Sequence, residues 1–400
     1  DNIAADKQNM IEVLNNWKRK QGTDKPIMIF INVSGGGLRS AAFVMNTLQQ
    51  LDSASGGKLM KQTFMISGAS GGMLAASYMR ALYHQKQIDA SFTLYSNKYT
   101  DDITQDLLNP IFSSMINRDI FSPAQKFSVP PFQYVKDRGY AFEEKLNANT
   151  GGLLNKQFKE IEKDEHNANI PLIVYNSVIT SDGRKLLIGT QPMRFLMKPA
   201  NSIDNEESCV DAVDFKTFFE HQSPMNLRVL TALRMNATFP YVLPNVWLPT
   251  KPVVDAMDAG LRDNFGTETA LRFIEHFKEW IEQNTSGVLV LQLRDRMSDN
   301  WENPMTTQSI ADILIKPATI LQHNWYKFQD YAQNDQISYM QKLIQVPLHH
   351  ITFMYQPSKK ESSATLNFHI TAIEKKDVIA SFNSSANQSA KKDFLTIMKR

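Results

Sequence analysis

Residues 64–72 read FMISGASGG, an apolar run that ends in a serine flanked by glycines. The G-x-S-x-G pattern centred on Ser70 is the sequence form of a nucleophile elbow, a tight turn between a strand and a helix that exposes the serine hydroxyl. Neighbours without side chains are needed because backbone atoms approach closely in such a turn. The pattern alone is a weak signal, so its meaning depends on the rest of the chain.

Two other motifs also follow apolar, strand-like runs. Residues 34–40, SGGGLRS, come after the run 28–33, and Asp258-Ala259-Gly260 comes after Val253-Val254. Three motifs at strand ends, in this order along the chain, point to one active site.

The first hundred residues predict the start of an α/β fold. The predicted elements are a helix at 10–20, a strand at 27–33, a helix at 38–51, a strand at 64–67 and a helix at 73–84. The unbroken apolar character of residues 27–33 is typical of a strand buried on both faces, as in a parallel sheet. The order strand, loop, helix, strand, elbow, helix is that of a doubly wound sheet.

Later elements are predicted from periodicity and turn residues. Residues from about 98 to 150 are rich in aromatics and prolines and show no clean strand signal. We expect strands at 172–179, 185–188, 288–293 and 351–354, helices at 227–235 and 267–283, and a proline-bearing loop at 238–250. A capping box at Thr371 opens a helix toward Phe382, and a polar loop at 381–389 precedes a terminal helix.

Bulk composition narrows the class of protein. The chain has 400 residues, of which 42% are hydrophobic and 21% charged, and its net charge of +2 gives no strong field for nucleic acid or an anionic membrane. The single cysteine, Cys209, excludes an internal disulfide framework and a cysteine-rich metal site.

No apolar run reaches the ~18–20 residues that a membrane-spanning helix needs. The amino end is polar and shows no secretory signal, but it begins at Asp1 rather than methionine, which leaves an upstream signal or anchor open. The compartment is therefore unknown, and we expect a soluble or peripheral membrane protein.

The glycine cluster at 35–37 predicts an anion site. Consecutive backbone N–H groups at a helix start can hold a phosphate or the oxyanion of an acyl-transfer intermediate. Nucleotide-binding patterns are absent: no lysine stands at the P-loop position, and Ser40 occupies the last glycine position of G-x-G-x-x-G. A tight turn without a ligand is the alternative, which Ser70 on the next strand disfavours.

A nucleophilic serine also needs a base, for which the residues alone leave two alternatives. A Ser-His-Asp enzyme would use a histidine after Asp258, and the candidates are His276, His323, His349, His350 and His369. None has a distinguishing context, and His276 falls in an amphipathic helix where a solvated position is expected. The other alternative is that Asp258 itself is the base.

Taken together, the motifs resemble the signatures of the patatin-like phospholipase family. The segments Gly35-Gly36-Gly37-Leu38-Arg39, 68–72 and 258–260 match its glycine loop, elbow and acidic motif in order. Residues 237–244 are similar to the family's proline-bearing loop, and Leu261-Arg262-Asp263-Asn264 resembles the continuation of the acidic motif. The resemblance runs from about Pro26 to Leu293.

The resemblance implies a three-layer α/β/α fold with a mainly parallel central sheet, a helical and irregular insertion at about 98–150, and a C-terminal extension. We accordingly expect an N-terminal helical segment at 1–25, a catalytic domain at 26–295, and an extension at 296–400 packed on that domain.

The resemblance also implies a Ser-Asp dyad without histidine. Ser70 would be the nucleophile and Asp258 the base, with an oxyanion hole from the backbone of Gly35, Gly36, Gly37 and Gly71. Arg39 matches the family's arginine and would either contact a lipid phosphate or form a structural ion pair. We expect no cofactor, metal or calcium dependence.

One residue departs from the family pattern. Ala259 stands where glycine is common, and its Cβ penalises a positive φ. This raises Asp255 as an alternative base, although the continuation at 261–264 favours Asp258.

The implied activity is hydrolysis of a fatty-acyl ester, of a phospholipid or lysophospholipid, with transient contact at a membrane surface and no nucleic acid partner. Residues 111–134 would form an acyl-binding wall or lid, or else cover an ordinary satellite core. The alternative functions are a general carboxylesterase acting on small soluble esters and a catalytically silent lipid-binding or interaction domain.

Overall fold

The computed structural model describes residues 2–109, 126–129, 132–135, 138–200, 209–238, 245–296, 310–358 and 368–399. The strands are β1 (Ile27–Val33), β2 (Thr63–Gly68), β3 (Lys126–Val129), β4 (Phe132–Val135), β5 (Leu172–Ile179), β6 (Lys185–Ile188), β7 (Ala212–Asp214), β8 (Val246–Leu248), β9 (Val254–Met257), β10 (Gly287–Arg294) and β11 (Leu348–Met354).

The α-helices are α1 (Asn2–Gln21), α2 (Gly37–Ala54), α3 (Lys58–Gln62), α4 (Ser70–Ile88), α5 (Asn97–Ile103), α6 (Arg138–Asn149), α7 (Phe158–His166), α8 (Phe215–Phe218), α9 (Val229–Asn236), α10 (Gly260–Asp263), α11 (Thr267–His276), α12 (Lys278–Asn284), α13 (Ile310–Leu343), α14 (Ala372–Ala380) and α15 (Ser385–Met398). Short 3-10 turns lie at Arg194–Met197, Glu220–Gln222, Pro224–Asn226 and Ser381–Asn383.

One mixed sheet organises the molecule. Its main path runs β11-β10-β1-β2-β5-β6-β7, and the five strands from β11 to β5 are parallel. Strand β6 is antiparallel to β5 and parallel to β7, while the hairpin β8-β9 adds to β5 in antiparallel sense. The mainly parallel sheet confirms the predicted fold class.

Two apolar cores cover the two faces of this sheet. Along β1, Ile29 and Ile31 enter the core formed with α2 and α4, whereas Met28 and Phe30 enter the core formed with α1 and α11. Such burial on both faces explains why the strand reads as a continuous apolar run. The result is the three-layer α/β/α arrangement that the family resemblance implies.

The segments outside the resemblance also contribute to these layers. Met10, Leu14 and Trp17 of α1 are buried in the second core, and β11 lengthens the sheet beside β10. The division into 1–25, 26–295 and 296–400 stays a prediction. In the described part of the chain, none of the helices combines the length and apolarity needed to cross a membrane.

Several element predictions need correction. The region at 98–150 contains the hairpin β3-β4, and the predicted loop at 238–250 contains β8, whose outward residue Trp247 is exposed. The predicted helix at 267–283 is two helices, because Phe277 leaves the helical conformation between them. Helix α1 begins earlier than expected, α15 begins inside the predicted loop 381–389, and α13 was not predicted.

Strand pairing brings two of the three motifs to one point. Val33 at the end of β1 pairs with Gly68 at the end of β2, and the Ala69 N–H donates to the Val33 carbonyl at 3.1 Å. The glycine loop and the elbow therefore leave the same edge of the sheet side by side.

Candidate active site

Ser70 occupies a strained position at the start of α4. Its φ of 49° lies in the left-handed region, which residues other than glycine seldom adopt, and its side chain is largely buried. Strain of this kind costs on the order of 1–3 kcal/mol and persists only where the surrounding contacts impose it. The geometry is that of a nucleophile elbow.

The glycine loop lies against this elbow. A Cβ on Gly71 would fall 1.8 Å from the Gly37 carbonyl oxygen, so the two backbones touch at a distance that only glycine permits. A Cβ on Gly35 would stand 3.5 Å from the Ser70 Cβ, which places the loop directly beside the serine. Gly36 and Gly37 themselves have φ values of 145° and 57°, where glycine is favoured.

Backbone donors remain open in this pair of turns. Within the residues that the structure describes, the N–H groups of Gly36, Gly37 and Gly71 have no hydrogen-bond acceptor. The N–H of Gly35 is already engaged, since it donates to the Asn264 carbonyl at 3.1 Å. Three unused donors beside a serine hydroxyl suit an oxyanion.

The third motif places a buried carboxylate next to the serine. Asp258 follows β9, and its Oδ1 accepts a hydrogen bond from the Gly260 N–H at 2.7 Å. Burial raises the pKa of Asp258 to about 7, against the opposing effect of hydrogen bonds from the Gly260 N–H and the Ser70 side chain. A carboxyl group with a pKa near neutrality can take a proton from a serine and return it.

The alanine in the acidic motif causes no strain. Ala259 has φ −58° and ψ −30°, an ordinary helical conformation that tolerates a Cβ. The turn at Ala259 avoids a positive φ, because it begins directly as α10.

The family model described as patatin-like phospholipase matches residues 32–271 of the chain, which is more than half of its length. The chain belongs to the patatin-like phospholipase family. This membership supports, at the level of the family, a lipid acyl hydrolase, and the match spans all three sequence motifs described above.

The solved structures that match the patatin-like chain have low sequence identity to it. Human GIVD cytosolic phospholipase A2 is 11% identical with a TM-score of 0.45, over 99% of this chain and 66% of that chain. VipD from Legionella pneumophila is 8% identical with a TM-score of 0.36, over 93% of this chain and 67% of that chain. The chain thus spans about two thirds of these proteins, and no curated protein matches it in sequence.

The competing bases lie in other environments. Asp255 of β9 accepts hydrogen bonds from the side chains of Thr180 at 3.0 Å and Asn245 at 3.2 Å. Among the described side chains, no histidine forms a hydrogen bond with Ser70 or Asp258.

Each described histidine among the candidate bases has a setting of its own. His276 is half-buried beside the Lys198 carbonyl rather than solvated, and burial lowers its pKa to about 4. His350 of β11 is also held near pKa 4, by burial and the charge of Arg294. His349 lies beside it on β11, and His369 is within 3.5 Å of Asp106. The side chain of His323 lies outside the described residues.

Arg39 forms an ion pair with the buried Asp295, and its guanidinium lies 6.0 Å from the centre of the Tyr355 ring. Burial acts to raise the pKa of Asp295, but the charges of Arg296 and Arg39 outweigh it and hold that pKa below its usual range. Because Asp295 also contacts the Ser34 hydroxyl at 3.2 Å, the pair supports the glycine loop. Contact of Arg39 with a lipid phosphate stays a prediction.

Sequence reasoning missed Asn236, the last residue of α9. Its Oδ1 accepts from the Ser70 N–H at 2.7 Å, and its Nδ2 donates to the carbonyls of Gly68 at 3.0 Å and Asn176 at 2.8 Å. Its own carbonyl accepts from the Ala259 N–H at 3.3 Å. Asn236 therefore joins the elbow to the acidic motif. The only sequence signal was its place directly before the family-like segment 237–244.

Two predicted features fall partly on residues that are not described. Residues 239–244 of the proline-bearing loop lie outside the described residues. The same holds for the side chains of 111–134, so the acyl-wall or lid interpretation stays a prediction.

Proposed function

We propose that this patatin-like chain hydrolyses fatty-acyl esters of phospholipids or lysophospholipids through a Ser70–Asp258 dyad. The observation that supports the proposal is the buried Asp258 carboxylate, whose pKa the neighbouring Ser70 side chain lowers, beside a serine in a strained turn. No histidine is required in this scheme, because the base reaches the nucleophile directly.

In the first half of the reaction, the Ser70 oxygen attacks the ester carbonyl carbon while Asp258 accepts the hydroxyl proton. The oxyanion that forms would accept hydrogen bonds from the N–H groups of Gly36, Gly37 and Gly71. Collapse of this intermediate breaks the carbonyl–alkoxy bond, and Asp258 returns the proton to the departing alcohol. Gly35 would support the loop instead, since its N–H is engaged with Asn264.

In the second half, water attacks the acyl-serine and gives its proton to Asp258. The fatty acid leaves when the Ser70–acyl bond breaks, and the proton returns to the Ser70 oxygen. Asp258 must be ionised at the start of each half. With a pKa of about 7, kcat/KM should fall about tenfold for each pH unit below 7.

The proposal is tested on p-nitrophenyl esters of short and long chains and on phospholipid vesicles. We expect Ser70→Ala and Asp258→Asn each to lose at least about 10³-fold in kcat while keeping the parental circular dichroism spectrum. Asp255→Asn is the matched control, because it removes a carboxylate only three residues away, and it should keep the parental kcat.

Full activity in Asp258→Asn would refute the dyad, and equal loss in Asp255→Asn would return that residue to consideration. A preference for long chains supports a lipid substrate. A preference for short soluble esters would instead favour the general carboxylesterase.

A further inference from the structure

The Gln329 side chain of helix α13 lies across the turn that follows Asp258. The Gln329 Nε2 donates to the Gly260 carbonyl at 3.0 Å, and the Gln329 Oε1 accepts from the Asn264 N–H at 2.8 Å. Gly260 is the first residue of helix α10 and Asn264 directly follows its last, so a single amide group holds both ends of that turn.

Each partner lies one contact away from a group of the proposed site. The Gly260 N–H donates to the Asp258 carboxylate, and the Asn264 carbonyl accepts from the Gly35 N–H. Gln329 is thus linked through its two partners to the carboxylate on one side and to the glycine loop on the other.

The helix that carries Gln329 is itself fixed to the sheet. Asp330 forms a buried two-point ion pair with Arg294 of β10, with distances of 2.7 and 2.6 Å. One turn further on, the Gln333 Nε2 donates to the buried Asp263 carboxylate at 3.0 Å. A bidentate pair of this kind constrains direction as well as distance, so Gln329 projects from a rigid support.

We propose that Gln329 is a positioning residue that holds the Asp258 turn in register with Ser70. The proposal rests on the proposed function, because it assigns Gln329 to the support of that dyad. It gives part of the C-terminal segment 296–400 a role in catalysis that the sequence does not indicate. Both ends of the amide are used, so neither an apolar nor a charged residue of similar size can replace it.

The kinetic test compares Gln329→Ala and Gln329→Met with Gln341→Ala. Met keeps the length of the side chain and removes both hydrogen bonds, which separates bonding from packing. Gln341 is the matched control, because it lies on the same helix and its Nε2 also bonds a backbone carbonyl, that of Leu348 at 3.1 Å.

We expect both Gln329 variants to lose about 10–100-fold in kcat, with KM within about twofold, because small misplacement of a catalytic group is costly. The hydrogen bond from Gly260 lowers the pKa of Asp258, so its loosening should also move the acidic midpoint of kcat/KM to higher pH. A merely structural role would not move this midpoint. Gln341→Ala should change neither quantity.

Amide hydrogen exchange supplies a readout that does not depend on turnover. The Gly260 N–H should exchange at least about tenfold faster in both Gln329 variants than in the parent and in Gln341→Ala. Parental exchange and parental kcat in the Gln329 variants would overturn the proposal. Activity surviving in Ser70→Ala would instead overturn the dyad, while the exchange experiment still decides whether Gln329 holds the turn.

Discussion

The two halves of the proposed site are held together by different means. The nucleophile half, residues 34–37 and 68–72, rests on contacts between backbones at positions where a Cβ has no room. The acid half, residues 258–264, is held by side chains from distant parts of the chain, above all Gln329 and Gln333 of α13. Asn236 joins the two halves.

This difference predicts how substitutions affect each half of the site. A direct contact between backbones has no room for even one methyl group, because an added Cβ forces both main chains to move apart. Side-chain hydrogen bonds can be removed one at a time, each for about 0.5–1.5 kcal/mol net. A Cβ added to the glycines of the nucleophile half should therefore abolish the site, whereas loss of one supporting hydrogen bond in the acid half should weaken it by degrees.

The largest effect is expected for Gly71→Ala, which breaks the nucleophile half. The added Cβ would lie 1.8 Å from the Gly37 oxygen, so we expect a loss of more than about 4 kcal/mol in unfolding free energy and no measurable esterase activity. Urea denaturation and the p-nitrophenyl ester assay measure both.

The control for this substitution is Gly152→Ala. Gly152 has a φ of 80° but open space around it, so it should lose only about 1–2 kcal/mol and keep its activity. Equal losses in the two variants would mean that the close contact with Gly37 adds no cost of its own.

A smaller effect is expected where the halves are joined. Asn236→Ala leaves the Ser70 N–H and two carbonyls without their partner, and we expect about 2–4 kcal/mol lower stability with a loss of about 10²-fold in kcat. Asn387 is the matched control, because it is also buried with three hydrogen bonds to backbone groups.

Asn387→Ala should lose similar stability and keep kcat, since its partners Met354 and Ser381 form no part of the site. Thermal unfolding combined with steady-state kinetics separates the two cases. If kcat fell equally in both variants, Asn236 would be an ordinary structural residue.

The smallest effect is expected on the unfolding free energy, because burial of the Asp258 carboxylate in the acid half lowers stability. A carboxyl pKa raised from 3.8 to about 7 means that the folded state binds the proton more tightly, so stability falls as pH rises through this range, by about 4 kcal/mol at most. Asp258→Asn removes the free-energy cost of burying the ionised carboxylate but weakens the hydrogen bonds that this side chain accepts. We expect this variant to be about 1–3 kcal/mol more stable than the parent at pH 8, with no advantage at pH 4.

Urea titrations at the two pH values measure the difference. An advantage that is the same at pH 4 and pH 8 would show that burial of the charge is not its cause. The control Asp255→Asn should show no such pH-dependent gain.

The comparison also explains how far the sequence could predict the molecule. Strands β1 and β5 were predicted at their observed bounds, because continuous apolar runs between polar turns define them locally. The elbow and glycine loop were visible because backbone contact restricts the residue types within a few positions. In contrast, β8 was read as loop, since three residues between prolines carry little periodic signal.

The supports of the acid half could not be predicted in this way. Asn236 and Ser70 are 166 positions apart, and Gln329 and Gly260 are 69 apart. A single polar residue on a helix carries no pattern that names its partner. Asp258 was predicted because the motif fixes its place, whereas the residues that hold it depend on how the sheet is ordered.

The order of the sheet also determines when the protein can become active during synthesis. Strand β1 pairs on one side with β10, so Ile27 can pair with Gly287 only after Gly287 has left the ribosome. At about 5–20 residues per second this interval lasts on the order of 10–50 s, during which one edge of an apolar strand stays unpaired and prone to aggregation. Because Asp258 and Gln329 are made later than Ser70, an early nascent chain lacks half of the proposed site.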